Sequence, residues 1–144
     1  MRGIMQEIRV PGLYEPLSHY TDANRCGDFL FLSGKPPFDK NGNVVCRGDV
    51  VGQARQVLEN IKRTLNTAGM AMQDVCTVTV YMIDVRDRPK INPLRKKYFG
   101  KHRPASTLVG VTELAVPGML VEIQAIAYKP GSGEAAYKKK SKRR

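Results

Sequence analysis

Residues Met119–Tyr128 read MLVEIQAIAY, an apolar run of strand length broken by the single acidic residue Glu122. In an extended chain Leu120, Glu122, Gln124 and Ile126 fall on one side, and the apolar Val121, Ile123, Ala125 and Ala127 on the other. An ionised carboxylate in a packed strand is costly unless something pairs with it or uses it. Glu122 is therefore either a paired structural charge or a site carboxylate that holds a water or a polar substrate atom.

The segments before this strand set its context. Val75–Ile83 alternates, with Cys76, Val78, Val80 and Met82 on one face and Thr77, Thr79 and Tyr81 on the other. Ala105–Thr112 reads as a further strand, joined to Met119–Tyr128 through Pro117-Gly118. Val51, Ala54, Val57, Leu58, Ile61 and Leu65 recur at helical spacing between an N-cap at Asp49 and a C-terminal Gly69. A second helix is predicted from near Asp87, with Pro89 and Pro93 in or near its first turns, Ile91, Leu94 and Tyr98 as its buried stripe and Gly100 at its end. FLFLSG (Phe29–Gly34) has strand length, and Lys40-Asn41-Gly42-Asn43 carries a hairpin-turn signal before a short strand at Val44. The predicted order is β-β-(β)-α-β-α-β-β, an α+β fold with a mixed sheet and two helices on one face. The second face is expected to carry Thr77, Thr79, Tyr81, Ser106, Leu108, Leu120, Glu122, Gln124 and Ile126. That mixture is too apolar for free water and too polar for a dry core, and it suits a wet subunit interface.

With 144 residues, 42% hydrophobic and 26% charged, the chain fits one globular domain, expected over residues 1–129. The N-terminal stretch MRGIMQEIRVPGL is not of signal-peptide type, and no apolar run is long enough for a membrane span, so a cytoplasmic protein is expected. Cys26, Cys46 and Cys76 form no CxxC pair and an odd count, which predicts reduced, mostly buried thiols and no metal site. The net charge of +11 is unevenly placed. Residues 130–144, PGSGEAAYKKKSKRR, hold six basic residues against Glu134 and show no apolar period. They are expected to form a flexible, solvated basic tail, either a weak nonspecific binder of polyanions or simply a solubilising end.

Together these segments resemble the Rid family of small enamine/imine deaminases (RidA-like, YjgF, L-PSP). The resemblance runs over about residues 14–129. It rests on Gly27-Asp28-Phe29-Leu30-Phe31-Leu32-Ser33-Gly34, the helix QARQVLENIK (Gln53–Lys62), Val78–Asp84 followed by Asn92, Arg103-Pro104-Ala105, and Val121-Glu122-Ile123. It implies a chorismate-mutase-like fold, a homotrimeric barrel, a small-molecule substrate in a cleft at each subunit interface, and no cofactor. It further implies that Glu122 positions the attacking water, that Tyr20 and Asn92 are site residues, and that Ser33 and Gly34 line the cleft with their backbone.

One departure bears on substrate. Active imine deaminases of the family carry Pro-Ala-Arg, whose arginine grips the substrate carboxylate, whereas this chain has Pro104-Ala105-Ser106. A serine hydroxyl does not replace a bidentate guanidinium. Arg103 and Lys35 are the other candidate cations at the cleft, and the stretch from Arg86 to Arg103 holds eight basic residues against Asp87. The expected activity is hydrolysis of a reactive enamine or imine, other than a standard 2-imino acid, to a carbonyl and ammonia. The alternatives are a noncatalytic small-molecule-binding homologue and an RNA-associated, endoribonuclease-type member.

Overall fold

In a computed structural model describing residues 5–144, a six-stranded mixed sheet carries helices on one face only. The strands are β1 (Met5–Ile8), β2 (Ala23–Cys26), β3 (Phe29–Leu32), β4 (Val75–Met82), β5 (Ala105–Gly110) and β6 (Val121–Tyr128). Their order across the sheet is β1-β2-β3-β6-β4-β5, and all neighbours are antiparallel except β4 and β5. The predicted α+β class and the single helix-covered face are what the structure has. The short strand expected at Val44 is an isolated bridge to Phe38, closed by the expected turn, in which Gly42 donates to the Asp39 carbonyl. β1 was not anticipated, because four residues at a sheet edge carry too little alternation to read.

Helix α1 (Val50–Thr67) starts where Asp49 accepts from the amides of Val51 and Gly52. It buries Val57, Leu58, Ile61 and Leu65 against the sheet. Its buried Gln53 also holds the chain entering β6: Nε2 donates to the Gly118 carbonyl at 2.8 Å and Oε1 accepts from the Leu120 amide at 2.7 Å. Helix α2 (Arg88–Phe99) follows a 3-10 turn capped by Asp84, and Gly100 ends it with φ near 61°. Val75 and Thr77 flank a bulge in β4, so Val78, Val80 and Met82 stay on the core side while Cys76 is exposed. The cysteines are therefore not buried as a set, since Cys46 is exposed as well and Cys26 half-buried.

The C-terminal segment also differs from expectation, because Ser132–Lys142 form a third helix, α3. None of its residues is buried. Asp28, in the β2–β3 turn, anchors it: the Gly133 amide donates to Asp28 Oδ1 at 2.9 Å and the Lys129 amide to the Asp28 carbonyl at 3.0 Å. Gly133 lies so close to Gly27 that a Cβ there would collide with the Gly27 carbonyl.

Cross-strand pairing fixes which side chains share the helix-free face. Glu122 pairs with Tyr81, Gln124 with Thr79, Ile126 with Phe31, and Phe29 with Tyr128, so these project together. Ser106 and Leu108 do not join them. They pair with Val78 and Val80 and project toward the helices, and Thr107 and Val109 take the helix-free side instead. That face exposes Phe29, Phe31, Tyr128 and Val109, with Phe31 43% accessible. Phe29 packs against Tyr128 in a tilted arrangement at a centroid distance of 4.9 Å, and with Phe31 it makes a contiguous aromatic patch on this face.

Candidate active site

Glu122 is placed by two clamps. Gln53 fixes the chain on its N-terminal side, and on its C-terminal side Ile123 exchanges backbone hydrogen bonds with Lys35. The second clamp lays Gly34 directly on the carboxylate, where a Cβ would stand 3.1 Å from Glu122 Cδ and 3.3 Å from each carboxylate oxygen. Burial raises the Glu122 carboxyl above the usual glutamate range, and no ion pair or hydrogen bond offsets this among the described residues. Within one chain Glu122 therefore has no pairing group among the described residues.

Ser33 and Gly34 border this carboxylate in different ways. The Ser33 hydroxyl donates to the Thr21 carbonyl at 2.6 Å and its amide to the Asp22 carbonyl, which ties the end of β3 to the start of β2. The Gly34 amide makes no backbone bond among the described residues. Tyr20 is exposed, and its hydroxyl accepts from the Leu17 amide at 3.2 Å. Tyr14 was not anticipated. It is buried edge-on against Phe38, and burial raises its phenol well above the usual tyrosine range, with further contributions from Tyr20, Asp22 and Glu122. Tyr14 packs with Phe38 and Met119 in a small buried cluster apart from the main core.

Lys35 is not a cleft cation. Because its backbone pairs with β6, its side chain turns into the core at 1% exposure, and Nζ donates to the Asp22 carbonyl at 2.9 Å. Burial holds the ammonium down to about 8. Arg103 is exposed just before β5 and makes no hydrogen bond or ion pair among the described residues.

A second group of side chains gathers at the free edge of β5, on the helix side. Ser106 Oγ accepts from Arg95 Nη2 of α2 at 2.8 Å. Arg95 has no acidic partner among the described residues, and burial lowers its guanidinium pKa. Asn92 lies three residues earlier, on the same face of α2. The residue type missing from β5 is thus supplied to Ser106 from the helix. Arg95 was legible only as one of several cations, although its spacing from Asn92 was a usable signal.

These two groups do not meet within one chain. Glu122 and Gly34 are on the helix-free face, whereas Asn92, Arg95 and Ser106 are across β4 on the opposite face. No set of three or more side chains suited to a metal ion is present among the described residues.

The endoribonuclease L-PSP family model matches residues 13–129. The chain belongs to this Rid (YjgF, L-PSP) family. A RutC family protein of Pyrococcus horikoshii is 44% identical over 115 residues, which are 80% of this chain and 90% of that protein. The 3-aminoacrylate deaminase RutC of Acinetobacter baylyi is 38% identical over 124 residues, covering 85% and 98% of the two chains. The crystal structure of E. coli TdcF with bound serine superposes with a TM-score of 0.79 at 30% identity, over 86% of this chain and 98% of that one. No helix among the described residues is long and apolar enough to cross a membrane.

Proposed function

We propose that this Rid protein is an enamine/imine deaminase that hydrolyses a small, carboxylate-bearing enamine or imine to a carbonyl compound and ammonia. The observation that carries the reading is the half-buried, unpartnered Glu122 carboxylate facing the cleared space at Gly34. A carboxyl whose pKa burial raises suits proton transfer in both directions. An enamine first takes a proton from solvent on carbon to become an iminium ion, and an imine reaches the same ion by protonation on nitrogen. Water then adds to the iminium carbon as Glu122 accepts a water proton, which gives the neutral carbinolamine. Glu122 passes that proton to nitrogen, the C–N bond breaks as ammonia leaves, and the hydroxyl proton returns to solvent as the carbonyl forms, which balances the proton taken up at the start. Tyr20, Asn92 and the Gly34 amide hold the substrate.

Arg95 revises the substrate class expected from Ser106 alone. A desolvated guanidinium without an acidic partner is a carboxylate receptor, and Ser106 fixes its orientation. The named activity of the Acinetobacter relative and the serine bound by TdcF, both carboxylate compounds, agree with this reading.

The site is completed by a second copy, because the Glu122 and Arg95 groups face away from each other in one chain. The exposed aromatic patch on the helix-free face supplies a contact surface, and three copies close the ring, as the family resemblance implies. Subunit mixing tests both claims. Glu122→Gln and Arg95→Ala proteins, each deficient when assayed alone with 3-aminoacrylate at low concentration, should regain about one quarter of wild-type activity on random reassembly. No recovery in verified mixed oligomers would refute the shared site. Absence of turnover by the wild-type protein, with ligand binding retained, would establish the binding-only alternative.

A further inference from the structure

The basic C-terminal segment is folded back on the body, and part of its exposed charge borders a cavity. Ala136, Lys139, Lys140 and Arg143 recur at i, i+3, i+4 and i+7, so they form one face of α3 and its C-cap. That face borders a cavity of about 800 Å³ between α3, Gln6 and Ile8 of β1, and the C-terminal end of α1. Lys138 is directed elsewhere, paired with Glu134 at 2.8 Å.

The floor of the cavity is Arg25, from the helix side of β2. Arg25 is 5% exposed, and its Nη2 donates to the Ala68 carbonyl. Its Nε and Nη1 have no partner among the described residues. Lys129 Nζ donates to the Gly69 carbonyl at 3.1 Å. These two bonds neutralise the negative end of α1, and they leave two guanidinium nitrogens and three further cations without a role. No acidic side chain lines the cavity. A buried guanidinium with two unpaired nitrogens, whose one charge interaction is with Asp28, is unfavourable unless a further acceptor completes it.

We propose that this cavity is a binding site for a linear oligophosphate group, such as the phosphate chain of a nucleoside triphosphate, held by Arg25, Lys129, Lys139, Lys140 and Arg143. The volume suits a ligand of nucleotide size. Five converging cations exceed what one phosphate monoester would neutralise, and the Asn66 and Thr67 side chains add neutral hydrogen-bonding groups at the rim. A concave cavity with its charges on opposing walls grips a compact polyanion, unlike a flat basic surface, which follows a duplex or a bilayer. This site is independent of the deaminase cleft.

The test uses the full chain with tripolyphosphate as probe, by calorimetry near physiological ionic strength. An inner-face triple variant (Lys139→Ala, Lys140→Ala, Arg143→Ala) should lose affinity by about tenfold or more, while an outer triple of equal charge (Lys138→Ala, Lys142→Ala, Arg144→Ala) should stay within about twofold. Arg25→Gln should lose as much as the inner triple, and circular dichroism of the inner triple provides a control independent of this core substitution. A nucleoside triphosphate binding more tightly than tripolyphosphate would extend the site to the nucleoside, and equal binding would confine it to the phosphates; both support the proposal. Equal losses in the inner and outer triples, with either tripolyphosphate or single-stranded RNA, would show charge without geometry and overturn it. No saturable binding to the wild-type protein would overturn it as well.

Discussion

Gly34 leaves room beside the Glu122 carboxylate that a side chain would crowd: a Cβ on residue 34 would lie 3.1 Å from the carboxylate carbon of residue 122. The backbone of residue 34 is not in the left-handed region, so alanine is conformationally permitted there. Gly34→Ala should therefore fold and assemble normally. It should lower kcat/KM by about tenfold or more, because the methyl displaces the water that the carboxylate orients. It should also move the acidic limb of the pH–rate profile upward, since further desolvation raises the Glu122 carboxyl again.

Glu122→Gln should remove activity by about 10²–10⁴-fold in steady-state assays while leaving the oligomer intact. The variant should be at least as stable as the parent at neutral pH. Burial raises the folded-state carboxyl pKa, so in the window above the unfolded glutamate value the folded chain holds the proton more firmly, and stability falls as pH rises through it. Glutamine has no such cost. Parallel urea titrations at pH 4 and pH 7 would detect the difference, and a stability penalty confined to the variant at pH 7 would contradict it.

Arg95→Ala should raise KM for a carboxylate-bearing imine by about 10–100-fold with a smaller effect on kcat, the pattern of lost ground-state binding. Adding Ser106→Arg to that variant should recover part of the loss, because it returns a guanidinium to the same edge of β5. A double variant no better than Arg95→Ala would mean that the clamp lies elsewhere.

Lys35→Met should increase stability at pH 7 by on the order of 1–3 kcal/mol. Burial holds the ammonium down to about 8, from an ordinary value of 10.5. Between these values the unfolded chain keeps a proton that the folded chain has released. This contribution to stability is therefore complete above about pH 10.5 and is lost as pH falls through 8. The wild-type protein should gain stability across that window, and the methionine variant should not show the same slope.

Phe31→Lys places a charge in the aromatic patch of the helix-free face. Sedimentation should show the wild-type protein at three times the 16.1 kDa chain mass and the variant shifted toward the single chain, with activity lost in step. A variant that dissociates and remains active would contradict the shared site.

The fold was legible where one physical signal dominated. Asp49 and Gly69 bracket α1 because caps satisfy orphan backbone groups, and the apolar stripe between them has a single period. Glu122 was legible because a lone carboxylate in an apolar strand conflicts with its surroundings. Ser106 was placed on the wrong face because β5 is a short edge strand of mixed residues, and its side is set by parallel pairing with β4 rather than by its own alternation. Cys76 was misread because a bulge changes the count by one. Lys35 turned inward because the chain after Gly34 joins β6, a long-range pairing that no local pattern records. Helix α3 escaped notice because the face it presents to the body is basic, so the apolar period that marks a docked helix is missing.

The contact between Gly133 and Gly27 makes the docking of α3 conditional on a single missing carbon. Any side chain at residue 133 would collide with the backbone of the β2–β3 turn and pry the helix from its seat without altering one charge. Gly133→Val would then turn the segment into a free arm of the same composition. The pair of proteins would separate what the positive charge of the C-terminus does by its amount from what it does by its shape, a distinction that deleting lysines never makes cleanly.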